Sequence, residues 1–163
     1  MDSLQISKIL TSCPLTKKRF KGVHPYDHVN QCIKKATTSQ LKFWVFNTEE
    51  SNSPGLHWIL IVTEGKKAEI FDSLSFNPQV FYNEIVVKLR KLKFKTILKN
   101  PFRVQQFSST VCGHHVIYYA LLKCLNISRK DIFSLYYRKN AKYNDKKVKQ
   151  VVEQQIFKKF FTE

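Results

Sequence analysis

A thiol, an imidazole and a carboxylate stand in this 163-residue chain where they can act as one unit. Cys112 precedes Gly113 within Val111 to Leu125, a strongly apolar run that reads as a helix buried nearly all round. The thiol then lies at a helix N-terminus, with Ser109 or Thr110 as the cap, where the positive end of the helix dipole favours thiolate. Taken alone, such a cysteine is more often a packing residue. His57, in Pro54-Gly55-Leu56-His57-Trp58, opens a strand after a turn and is placed to face a cleft. Asp72 closes the next strand, Glu69-Ile70-Phe71-Asp72. A hairpin pairs the start of its first strand with the end of its second, which brings His57 and Asp72 together. A carboxylate orienting an imidazole beside a thiol is the equipment for nucleophilic attack on an acyl carbon. Gln105 or Gln106 can add a side-chain amide for the oxyanion, together with the backbone N–H of Cys112. Trp58 and Gly113 are expected to line the substrate cleft.

The elements that must position these residues are legible as patterns. Ser3 to Thr11 reads as a short helix, and Asp27 is expected to cap a second one carrying Val29, Cys32 and Ile33. Leu41 to Phe46, His57 to Val62 and Ala68 to Phe71 read as strands, the last two joined by a turn over Thr63-Glu64-Gly65-Lys66. Pro78 to Leu92 takes a helical period, and short strands are expected at 95–98 and 102–104 around Asn100-Pro101. Asp145 to Phe161 reads as a final amphipathic helix. Strands and helices are partly segregated and a hairpin is present, so the expected class is α+β. No repeat, low-complexity tract or linker divides the chain, which predicts one domain over 1–163.

Composition narrows the classes further. Hydrophobic residues make up 43% and aromatics 13%, enough to close a core and exclude global disorder. No stretch reaches the roughly 20 apolar residues that span a bilayer, and the start of the chain lacks a secretory pattern. An intracellular protein that makes no membrane contact is expected. Cys13, Cys32, Cys112 and Cys124 form no Cys-x-x-Cys pair, so they are expected as reduced thiols. His114 and His115 point about 100° apart on a helix, so no metal site is expected there. The net charge is +16, of which residues 82–163 contribute +13. Such a field attracts polyanions, nucleic acid first. Lys88, Arg90, Lys91, Lys93, Lys95 and Lys99 lie in a run to Arg103 with no acidic residue, and are the expected DNA-tracking strip. Lys146, Lys147 and Lys149 come second.

The order His57, Asp72, Gln105, Cys112, with Gly55-Leu56-His57-Trp58 and Cys112-Gly113, resembles the adenovirus protease (adenain) family of DNA viruses and virus-like self-synthesising transposons. Papain-like proteases place the cysteine first. Lys18-Arg19-Phe20-Lys21-Gly22-Val23 is similar to the family's opening segment, and Phe46-Asn47-Thr48 to its strand before the histidine. Phe71-Asp72 stands where the family has Phe-Glu or Phe-Asp. The resemblance implies an adenovirus-protease/SUMO-protease-like fold, a central mixed sheet packed by helices with the cysteine at the start of a buried one. It implies a cysteine endopeptidase in which Cys112 is nucleophile, His57 general base and Asp72 its orienter. The adenovirus-like spacing selects Gln105 with Ser109, and the SUMO-protease spacing selects Gln106; Val104-Gln105 and Ser109 match together, which favours Gln105.

The same resemblance implies viral capsid and core precursors as substrates, often cut after small residues such as Gly. The enzyme would act in the virion and inside the host cell, with no cofactor for the chemistry and DNA as an activator. The adenovirus enzyme's activating peptide bonds to a cysteine whose place is held here by Phe94, so the resemblance leaves open whether this chain takes an activating peptide. The alternatives are a deconjugase of ubiquitin-like modifiers and a non-enzymatic basic DNA-binding protein.

Overall fold

In the computed structural model, which describes residues 1–34, 39–52, 56–75 and 79–157, five strands form one mixed sheet in sequence order. β1 (Phe20–Pro25) runs parallel to β2 (Lys42–Asn47). β2, β3 (Trp58–Glu64) and β4 (Lys67–Phe71) are antiparallel neighbours, and β5 (Thr96–Leu98) lies parallel to β4. The β3–β4 turn closes with Glu64 opposite Lys67. Gly65 takes φ +56 there, a conformation glycine adopts without steric cost.

The apolar runs in β2 and β3 are continuous because the sheet is covered on both sides. Phe43, Val45, Leu60, Val62 and Phe71 face one core. It is completed by α1 (Ser3–Ser12), α4 (Cys112–Cys124), α5 (Arg129–Ser134) and α6 (Ala141–Val151). Trp44, Phe46, Ile59, Ile61, Ala68 and Ile70 face a second core, under α2 (Val29–Cys32) and α3 (Gln79–Lys91). The central helix is α4, with Val116, Ile117, Tyr119 and Ala120 buried against the sheet. Tyr119 stacks on Phe71 with ring centroids 4.2 Å apart. Its hydroxyl donates to buried Glu69, which also receives the Lys123 ammonium at 3.1 Å and that of Lys67 at 3.0 Å.

Several local expectations need correction. Residues 102–104 are coil: the N–H groups of Val104 and Gln105 both donate to the Ser73 carbonyl at 2.9 Å, and Asn144 holds the Val104 carbonyl. Those side-chain and single-carbonyl partners replace a strand ladder. Asp27 caps nothing; it sits in a 3₁₀ turn, Tyr26–His28, and its carboxylate accepts from Ser51. The last helix starts earlier, at Ala141, capped by Asn140, and passes into a π-turn, Val152–Phe157. Pro54, Gly55, Pro78 and Phe160 lie outside the described residues. Two elements escaped the sequence patterns, β1 and α5. No helix among the described residues is long and apolar enough to cross a membrane.

Candidate active site

His57 sits one residue before β3, where its carbonyl accepts from the Thr48 N–H at 3.0 Å. Asp72 sits one residue after β4. The antiparallel register, with Leu60 opposite Phe71, brings these two flanking residues together. His57 Nε2 lies 2.6 Å from Asp72 Oδ1, and both residues are buried. The same carboxylate oxygen accepts from the Leu74 N–H at 2.9 Å. Asn100, missed by the sequence patterns, brackets the Asp72 main chain by donating to its carbonyl and accepting from its N–H.

Cys112 opens α4 and hydrogen-bonds to the His57 ring. The backbone N–H groups of Trp58 and Gly113 also donate to the sulfur. Neither Ser109 nor Thr110 caps this helix; Val111 holds the cap position without a side-chain bond. Burial opposes charge on His57, but the Asp72 hydrogen bond, then contact with Cys112, overrides it and lifts the imidazole to about 9. Burial likewise opposes the Cys112 thiolate, and the His57 bond outweighs it, holding the thiol below its ordinary range. Burial pushes the thiols of Cys32 and Cys124 up instead.

Gln105 is 1% exposed. Its Oε1 accepts from the Ser73 hydroxyl at 2.5 Å and its Nε2 donates to the Ser109 carbonyl at 2.8 Å. Gln106 is less buried and turns its Nε2 to the Ser108 hydroxyl, 2.9 Å away. Its backbone N–H donates to Asp145, which also receives His115 Nε2 at 2.9 Å. Asp145 was readable only as one carboxylate in a lysine-rich helix; its partner at Gln106 is a product of the fold. Trp58 is half-buried and its indole N–H donates to the Met1 carbonyl at 3.1 Å. A Cβ on Gly113 would stand 3.1 Å from Met1 Cβ, so the close approach at this glycine is made by the N-terminal segment.

The two adjacent histidines face different carboxylates, His114 that of Glu153 and His115 that of Asp145. Among the described residues no three His, Cys, Asp or Glu side chains gather as a metal site. The basic strip falls on α3 and the β5 edge. Arg90, Lys95 and Lys99 line a groove of about 560 Å³ with Asn83, Val86, Thr96 and Ile97. Lys88 lies over the Tyr26 ring, 5.2 Å from its centroid, and Lys91 and Lys93 are exposed.

No family model matches the chain, and no curated protein does. Among solved structures, a crystal structure of ASFV pS273R protease superposes with a TM-score of 0.59 at 16% identity, covering 88% of this chain and 64% of that one. The selenomethionine form of the same protease gives a TM-score of 0.54 at 17% identity, covering 88% and 65%. The chain thus spans just under two thirds of the length of these neighbours. Its α+β fold, a five-stranded mixed sheet packed by helices on both sides, is that of the ASFV pS273R protease.

Proposed function

We propose that residues 1–163 act as one cysteine endopeptidase domain of the adenovirus-protease-like kind, processing viral capsid or core precursors inside the cell or virion. The observation that carries this reading is the buried Asp72–His57–Cys112 chain at the start of α4. The Cys112 thiolate attacks a peptide carbonyl and forms a tetrahedral oxyanion, which Gln105 Nε2 and the Cys112 N–H stabilise. Gln105 is preferred to Gln106 because it is the buried one of the two. Collapse to the thioester expels the amine, protonated by His57, and His57 then draws a proton from the water that releases the acid. Asp72 fixes the imidazole orientation throughout. Trp58 borders the scissile bond, whereas Gly113, covered by Met1, does not. The likeness to a viral protease in fold supports the reaction class, and the +16 charge supports stimulation by DNA.

Cys112→Ala and His57→Ala should each abolish cleavage of Gly-containing precursor peptides while leaving the circular dichroism spectrum and melting temperature near wild type. Unaltered turnover in either variant would falsify the assignment. Faster cleavage of folded modifier conjugates than of peptides would move the substrate class to ubiquitin-like modifiers.

A further inference from the structure

Ser73 is fully buried and follows Asp72 directly, yet none of the chemistry above uses it. It makes three contacts with the Gln105 segment: its carbonyl accepts from the N–H groups of Val104 and Gln105, and its hydroxyl meets Gln105 Oε1 at 2.5 Å. Which end of the Gln105 amide faces which partner is decided by chemistry. The Ser109 carbonyl can only accept, so the atom facing it must be Nε2. Oε1 then faces Ser73, whose hydroxyl must donate. The amide carries two N–H groups and Ser109 takes one of them. With both Oε1 and the first N–H committed, the direction of the second is fixed before any substrate arrives. An oxyanion donor is effective when it is held in place in advance.

We infer that Ser73 is the positioning residue that presets Gln105 as an oxyanion donor, an inference that rests on the protease reading. One residue pair at the end of β4 then serves both halves of the reaction: Asp72 orients the base and Ser73 orients the donor.

The test compares the wild type with Ser73→Ala, Gln105→Ala and the double variant, using peptide hydrolysis, Cys112 alkylation by iodoacetamide, and exchange of the Gln105 side-chain amide protons by NMR. Ser73→Ala should lower kcat by about 10- to 100-fold, a fraction of the loss typical for removing a donor outright, with KM within about twofold. The double variant should be no worse than Gln105→Ala alone. Alkylation, which develops no oxyanion, should keep its wild-type rate in Ser73→Ala. The Gln105 amide protons should exchange at least about tenfold faster in that variant. Additive losses in the double variant, or equal protection of the Gln105 amide with and without Ser73, would overturn the inference. Should Ser73→Ala not fold, the wild-type spectrum still decides: freely exchanging Gln105 amide protons contradict a preset donor. Absence of any Cys112-dependent cleavage overturns the protease reading instead, and the exchange data separate that failure from this one.

Discussion

At Cys112, two protonation equilibria are pushed in opposite directions by one contact. The thiol is held below its usual range and the His57 imidazole is raised to about 9, so between those limits the pair is thiolate and imidazolium. Iodoacetamide near pH 6 should therefore label Cys112 ahead of Cys32 and Cys124, whose thiols burial pushes up. His57→Ala should erase that lead. The proton on His57 is also the one delivered to the leaving amine, so turnover should fall as pH rises through about 9, where the imidazolium is lost. On the acid side it should fall as the thiolate takes up a proton. Peptide hydrolysis from pH 5 to 10 checks both limbs, and equal mass-spectrometric labelling of the three thiols at every pH would remove the ion pair. His57 and Asp72 were legible together in the sequence because hairpin geometry unites them, while Cys112 was singled out by its residue type at a helix start and joined to them by the resemblance. Ser73, Asn100 and Asp145 were not, because their partners are set by the path of the coil after β5, which carries no periodic signal.

The same lesson holds for whole elements. Runs buried on one or two faces, such as Phe43 to Phe46 and Ile59 to Val62, announced themselves by apolar content. β1 did not: it pairs at one edge only, breaks register between Phe20 and Val23, and contains Gly22, His24 and Pro25. α5 is six residues long, too short for periodicity to show. β4 carries a further element-scale consequence. Glu69 is 4% exposed yet charged, because burial, which opposes ionisation, is outweighed by Lys123 and Lys67, and its carboxyl is held below the usual range. Lys123→Met leaves that carboxylate with Lys67 and Tyr119 alone and should destabilise the domain by about 2–4 kcal/mol. A depressed carboxylate contributes stability above its unfolded value of about 4.3 and loses it as pH falls further. Acid unfolding of wild type should thus erase much of the difference between the two proteins, as read by urea titrations at pH 7 and pH 3. A gap that stays constant with pH would mean the Glu69–Lys123 pair contributes nothing through charge.

Over the whole molecule, the charge excess has a direction. Residues 82–163 carry +13 of the +16, and part of it converges on the groove between α3 and β5. Arg90, Lys95 and Lys99 are the charged residues among those that line that groove, whereas Glu84 joins the lining of the adjoining depression around Lys88 and Lys91. Like charges gathered around one concavity repel one another, and a phosphate backbone entering it relieves that repulsion while releasing its own counterions. Each phosphate so neutralised contributes about 0.9 to the slope of log binding constant against log salt on duplex DNA. The triple variant Arg90→Ala, Lys95→Ala, Lys99→Ala should therefore lower that slope by about 2–3, measured by fluorescence anisotropy between 50 and 200 mM salt. Removing Lys17, Lys139 and Lys142, exposed lysines outside both basic runs, is the matched control, taking away the same charge elsewhere. Equal losses from both triples would show that DNA responds to net charge alone. A loss concentrated in the first would place the polyanion along the sheet edge whose strand leads, through Lys99, into the Asn100 that brackets Asp72. Asn100 links the segment after that strand to the Asp72 main chain through two hydrogen bonds; if DNA stimulates cleavage through this contact, the stimulation should disappear with the first triple and persist with the second.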